Sequence, residues 1–136
     1  MDVDCHDTLD DQVALVTGAS RGIGAAIATG LVEHGAIVYG AARTPEDVPS
    51  AVRAVECDVT DEAAVGAALD RVRRETERLD VLVNNAAVPG PDGPVGEGTT
   101  GGIDRTLATN LRGPMLFAKH ALPLLLVHGA VYPQPR

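Results

Sequence analysis

Four short runs rich in apolar and β-branched residues divide the chain: Val13 to Val16, Ala36 to Ala41, Ala51 to Cys57 and Asp80 to Asn84. The first is apolar throughout, as a strand covered on both faces should be. After it, the spacing predicts a helix from about Gly22 to His34, with Ile23, Ala26, Ile27 and Leu31 on its inner stripe. Gly35 is placed to end that helix in a left-handed cap. Thr44 to Ser50 reads as connector. A second helix follows Asp58-Val59, capped by Thr60, with Asp61 and Glu62 in the first turn, where the dipole favours anions. Its inner stripe is Ala64, Val65, Ala68, Leu69 and Val72, and Arg71, Arg73, Arg74 and Arg78 read as a solvated face near its end. Val88 to Gly102, rich in Gly and Pro, reads as a loop long enough to be mobile. A third helix is expected from about Ile103 to Leu122, its pattern interrupted by Gly113-Pro114. Val127 to Tyr132 begins a fifth strand, and Pro133 and Pro135 close the chain. Strands alternating with helices at this rhythm predict an α/β fold, a parallel sheet wound by right-handed crossovers.

Composition narrows the partners. Residues 1–10 form an acidic, disordered lead-in, and 11–136 is long enough for one domain with one core. With 45% apolar but 2% aromatic residues, that core is built from Ala, Val, Leu and Ile. A net charge of −8, with Lys119 the single lysine, excludes the basic face that nucleic acid or an anionic membrane needs. Cys5 and Cys57 are too few for a disulfide framework, which fits a reduced cytoplasm, and Cys5-His6 has no second pair at metal-ligand spacing. The acidic start is no signal peptide, and the longest apolar run, Ala121 to Val127, is too short to span a bilayer.

The chemistry concentrates in Thr17-Gly18-Ala19-Ser20-Arg21-Gly22-Ile23-Gly24, between the first strand and the first helix. Strand, glycine turn and helix make the setting of a phosphate cradle. Gly18 allows the sharp turn, Gly22 leaves out a Cβ where a diphosphate would approach, and Gly24 lets the helix lie close. Backbone N–H groups at the helix start, Ser20 to Ile23 among them, would face the anion. The spacing is G-x-x-x-G-x-G rather than G-x-G-x-x-G. The alternative is a turn that binds nothing.

Four stretches together carry a resemblance: Thr17–Gly24, Asp58-Val59, Asn84-Asn85-Ala86-Ala87, and Asn110 within Thr109-Asn110-Leu111-Arg112-Gly113-Pro114. In order and spacing the chain resembles the N-terminal half of the short-chain dehydrogenase/reductases. The likeness implies a Rossmann-like, doubly wound parallel sheet, truncated after about five strands. It implies that Asp58 accepts a hydrogen bond from an adenine amine beside the Val59 backbone, the alternative being a carboxylate at a helix approach. Asn84 would tie neighbouring strands together and Ala86 would leave room for a ribose. Ala87 stands where the family usually has Gly. Asn110 would distort its helix and hold a water that relays protons, the alternative being an ordinary polar residue in a helix.

An NAD enzyme usually carries an acid at the end of the second strand. Ala42 stands there, followed by Arg43, and Arg21 lies in the glycine turn. Two guanidiniums converging on a 2′-phosphate favour NADP over NAD, with two solvated arginines as the alternative.

In the family a Ser, and a Tyr with a Lys four residues on, transfer protons while hydride moves between nicotinamide and a carbonyl or alcohol carbon. The tyrosines here are Tyr39 and Tyr132, followed four residues later by Arg43 and Arg136. Asn110 is the one member of that catalytic set the sequence carries. The final Tyr132-Pro133-Gln134-Pro135-Arg136 departs from the family pattern in the manner of a broken reading frame. The expectation is an oxidoreductase by resemblance, inactive as this chain, its small-molecule carbonyl or alcohol substrate requiring the missing half. The alternative is a non-catalytic NADP-binding module or partner subunit, and the third reading is an enzyme with an unrecognised proton donor. Apolar surface left uncovered on the fourth and fifth strands and the third helix would favour homo-oligomers or aggregation.

Overall fold

The computed structural model describes residues 8–91 and 93–128. Strands β1 (Val13–Thr17), β2 (Ile37–Ala42), β3 (Arg53–Glu56) and β4 (Val81–Val83) form one parallel sheet in the order β3-β2-β1-β4. Leu15 sits at the centre of the register, beside Tyr39 on one side and Leu82 on the other. Helices α1 (Gly22–Glu33), α2 (Glu62–Thr76), α3 (Thr100–Leu107) and α4 (Gly113–His128) complete the fold, with short 3₁₀ turns at Pro45–Asp47 and Val95–Glu97. The chain builds outward from β1 to β3, then places β4 on the other side of β1. The direction of winding therefore reverses between β1 and β4, and a crevice opens beyond their carboxyl ends.

Alternation along the strands sends Val13, Leu15, Tyr39 and Ala41 to one face and Ala14, Val16, Val38 and Ala42 to the other. The first face packs on α2 and α4 through Val65, Leu69, Val72 and Phe117. The second packs on α1 through Ala28, Ile27 and Leu31, with Val48 and Val52 from the connector. In α2 the expected stripe is found, Val65, Ala68, Leu69 and Val72 buried and Ala64 packed at its margin. Gly35, at φ +96°, ends α1: Ala36 N donates to Leu31 O and Gly35 N to Val32 O, the Schellman pairing.

Several expectations are corrected. The inner stripe of α1 runs through Gly24, Ile27, Ala28, Leu31 and Val32, whereas Ile23 is 72% exposed and Ala26 faces solvent. The first turn of α1 overhangs the crevice, so Ile23 has no sheet beneath it. The N-cap of α2 is Asp61, whose carboxylate accepts from Ala63 N, because Thr60 spends its hydroxyl on Asp58. Arg71 is not simply solvated: it reaches Glu75 and the Ala54 carbonyl. The third helix begins at Thr100, with the Thr99 hydroxyl accepting from Gly102 N, and so takes up the end of the expected loop. Its irregularity is a π turn over Ala108–Arg112, just before Gly113-Pro114, and α4 continues past Pro123. Residues 127 and 128 are helical rather than the start of a fifth strand, and the remainder of that expected strand, Tyr132 included, lies outside the described residues, which hold four strands. Of the lead-in, residues 8–10 are tied down, Leu9 donating its N–H to His34 O and packing beneath α1, while 1–7 lie outside the described residues. β4 is half-buried, and Leu107, Leu111 and Met115 are exposed along α3, the π turn and α4. Among the described residues no helix is long and apolar enough to cross a membrane.

Candidate functional site: the cleft at the glycine turn

The crevice beyond β1 and β4 is a cleft of about 1090 Å³, and the turn after β1 forms its floor. Gly18 turns there at φ +66°, held by Gly18 N donating to Ala41 O at 2.9 Å. A Cβ on Gly18 would come within 2.9 Å of Ala86 Cα, and one on Gly24 would land on the Gly18 carbonyl oxygen. Glycine at both positions is therefore what lets α1 and the segment after β4 close on the turn. Gly22 differs: at φ +57°, a Cβ there would meet nothing within 4 Å, so its bare backbone faces open space. Arg21, the N-cap of α1, offers no side-chain cap, and the amides of Gly22, Ile23 and Gly24 stand at the uncapped positive end of the dipole.

The opposite wall is laced to the floor by two residues to which the motifs had assigned no role. Thr17, fully buried at the end of β1, accepts through its hydroxyl from the amides of Asn85 (3.0 Å) and Ala86 (2.9 Å). Asn85 Nδ2 donates to the carbonyls of Thr17 and Gly18. The strand tie expected of Asn84 thus belongs to Asn85. Asn84 is exposed and does not line the cleft, because successive residues leaving β4 point to opposite sides. Ala86 and Ala87 both line the cleft.

Asn110 sits mid-way in the π turn and clasps this wall from outside. Its Oδ1 accepts from Val88 N at 2.8 Å and its Nδ2 donates to Val88 O at 2.9 Å. The expected helix distortion is present at Asn110, and its side chain is engaged with backbone. Arg112 Nη1 donates to Thr60 O, and Gly113 lets α4 approach Val59. The π turn therefore braces both the loop after β4 and the segment after β3.

That segment carries Asp58, which borders the cleft. Its Oδ1 accepts from Thr60 N (2.9 Å) and Thr60 Oγ1 (2.7 Å), an Asx-type turn that leaves Oδ2 available as an acceptor. Those two hydrogen bonds, helped by the charge of Arg43, hold its carboxyl below the ordinary carboxylate value. Burial pushes the neighbouring Cys57 thiol up to about 11. Ser20, Arg21, Ile23, Arg43 and Val59 all line the same cleft, so every expected cofactor-side residue except Asn84 and the packing glycine Gly24 borders it. The Arg21 and Arg43 guanidiniums make no hydrogen bond or ion pair among the described residues. Ala42 ends β2 without a carboxylate, and the acid nearest in sequence on this wall is Asp47, for which the sequence pattern gave no signal.

Neither a tyrosine nor a lysine reaches the cleft among the described residues. Tyr39 is buried under α2, its hydroxyl donating to Glu75 and accepting from Arg53, with the Arg53 and Arg71 guanidiniums 5.4 and 5.7 Å from its ring centre. Lys119 pairs with Glu62 at 2.6 Å, between α4 and α2.

The family model described as short chain dehydrogenase matches residues 12–131. Momilactone A synthase from Oryza sativa subsp. japonica is 43% identical over 119 residues, 81% of this chain and 43% of that protein. Cis-4-hydroxycyclohexanecarboxylate dehydrogenase from Sinomonas cyclohexanicum is 41% identical over 129 residues, 88% of this chain and 52% of that protein. The chain spans about half the length of the curated relatives it matches. Among solved structures, ligand-free aldohexose dehydrogenase of Thermoplasma acidophilum superimposes with a TM-score of 0.83 at 34% identity, over 90% of this chain and 47% of that one. A metagenomic short-chain oxidoreductase in complex with NADP superimposes at 0.82 and 36% identity, over 88% and 58%.

Proposed function

The chain belongs to the short chain dehydrogenase family, and from that premise we propose that it is the NADP-binding half of an oxidoreductase acting on a carbonyl or alcohol carbon. One observation carries the reading: the uncapped start of α1, with Gly22 open to the cleft, borders the same cleft as two guanidiniums that have no hydrogen-bond or ion-pair partner among the described residues. A diphosphate fits the free amides of Gly22 and Ile23, because nothing occupies the space above Gly22. A 2′-phosphate fits between Arg21 and Arg43, since Ala42 sets no carboxylate against it. Asp58 Oδ2 is left to accept the adenine amine. A nicotinamide held there would exchange a hydride with the substrate carbon, taking it from an alcohol or giving it to a carbonyl.

The relatives named for a hydroxycyclohexanecarboxylate and an aldohexose share a hydroxyl-bearing ring or chain carbon, and an alcohol of that kind is the substrate class we assign. With no tyrosine or lysine at the cleft among the described residues, this chain alone binds cofactor without turning it over. A second reading, a binding subunit that works against a partner, draws on the exposed Leu107, Leu111 and Met115.

Titration by NADPH fluorescence tests the proposal. NADPH should bind at least tenfold more tightly than NADH, and Arg43→Gln should erase most of that difference, since charge-assisted phosphate contacts contribute about 1.5–3 kcal/mol. Equal affinities for the two nucleotides would remove the clamp. A folded chain that binds neither removes the function.

A further inference from the structure

The cleft has a third cation that the family motifs do not include. Arg105 lies on α3 one turn before Thr109, and both line the cleft. The Arg105 side chain is exposed, and its guanidinium makes no hydrogen bond or ion pair among the described residues. Its end of the cleft is defined by contacts already described: Arg112 bonds Thr60 O, Gly113 packs on Val59, and Asn110 clasps Val88. By helical spacing Arg105 shares one face with Thr109, Arg112 and Gly113, and the last two of these meet Thr60 and Val59, beside which the proposed function seats the adenine.

A purine needs a surface against each of its flat faces, and no aromatic residue lines this cleft. The aromatic side chains of the described residues, Tyr39 and Phe117, are both fully buried against α2 and α4. Val59 supplies an aliphatic surface to one face. Among the described residues, three guanidiniums without hydrogen-bond partners border the cleft, and with Arg21 and Arg43 assigned to the 2′-phosphate, the Arg105 guanidinium is the planar group left to cover the other face. Its delocalised cation stacks on a π face at lower desolvation cost than an ammonium.

We infer that Arg105 is a nucleotide-specificity residue that closes the base end of the cleft by stacking its guanidinium on the adenine. The inference rests on the nucleotide-binding reading above, and the arms of its test separate the two. ADP and reduced nicotinamide mononucleotide are titrated by calorimetry into the wild-type chain, Arg105→Met and Arg105→Lys. Methionine keeps the apolar stem and lysine keeps the charge, while both remove the plane. Both variants should bind ADP about 5- to 10-fold more weakly, the range expected for a single base-stacking contact. Both should bind the mononucleotide, which has no adenine, within twofold of wild type. Wild-type ADP affinity in Arg105→Met overturns the inference and leaves nucleotide binding intact. Full rescue by Arg105→Lys overturns it in favour of plain charge attraction. A folded wild-type chain that binds no ADP overturns both readings. Because Arg105 is exposed and makes no ion pair among the described residues, matching melting temperatures should show that the variants fold.

Discussion

The two faces of the sheet are built from different materials. On the side of α2 and α4 lie Leu15, Tyr39, Leu79 and Phe117, the largest fully buried side chains of the described residues. Against α1, and its own Ala28, stand Ala14, Val16 and Ala19, with Gly40 so enclosed that a Cβ would come within 2.8 Å of Val52 and 2.9 Å of Ala19. Burial of apolar area stabilises in proportion to size, so the first face contributes most of the stability. The second gives up that area for closeness. Small residues let α1 descend until its first amides overlie the glycine turn, the closeness that the proposed anion cradle requires. Stability and the proposed binding chemistry thus fall on opposite sides of the sheet.

The comparison breaks most readily at Phe117. Phe117→Ala should cost about 3–5 kcal/mol, read as a lower denaturation midpoint, because the ring is fully buried and α4 cannot collapse onto the gap. Below that midpoint, the folded fraction should bind NADPH as before. Next comes Gly24→Ala. Its new methyl group meets the Gly18 carbonyl and the Asn85 amide, so α1 must lift, costing about 1–3 kcal/mol. Here NADPH affinity should fall at least tenfold, and wild-type affinity in that variant would refute the argument from closeness. A smaller loss is expected for Asn110→Ala, which removes both hydrogen bonds to Val88: about 1–2 kcal/mol, with faster amide exchange at Val88 as the specific sign.

The smallest effect concerns pH. Asp58 is held below its ordinary value of 3.8 by the Thr60 amide, then by the Thr60 hydroxyl. A depressed folded value means that its contribution is complete above the unfolded value and is lost as pH falls through the folded one. Asp58→Asn should therefore cost less than about 1 kcal/mol of stability at pH 7 for so exposed a group, read as a slightly lower melting temperature. The two melting curves should converge as the pH drops below about 4. A gap that persists in acid would mean that the side chain acts through packing rather than charge.

The sheet and the glycine turn were legible because both rest on local chemistry: β-branched runs covered on two faces, and glycines where a positive φ or a close approach demands them. Three of the expectations missed by a single residue, and a specific contact decided each. Asp61 caps α2 because Thr60 is already engaged by Asp58. Asn85 rather than Asn84 meets Thr17 because β4 ends at Val83, which fixes the side from which each amide leaves. The face of α1 rotates away from Ile23 because Gly24 must sit on the turn. The Gly101-Gly102 pair reads as loop by propensity, yet Thr99 caps it into helix. Arg105 carried no signal of its own; only the docking of the π turn shows which cleft it borders.

The π turn also fixes how this segment can vary in length. It accommodates one residue more than a regular helix would over Ala108–Arg112. Deleting one of those five residues would let a regular helix span the same stretch, so the turns on either side would keep their phase and Phe117 and Ala121 their places in the core. What would go is the bulge that carries Asn110 to Val88. Length is thus adjustable by one residue at this spot without turning the screw of α4, whereas a deletion within α4 itself would swing everything beyond it by about 100°.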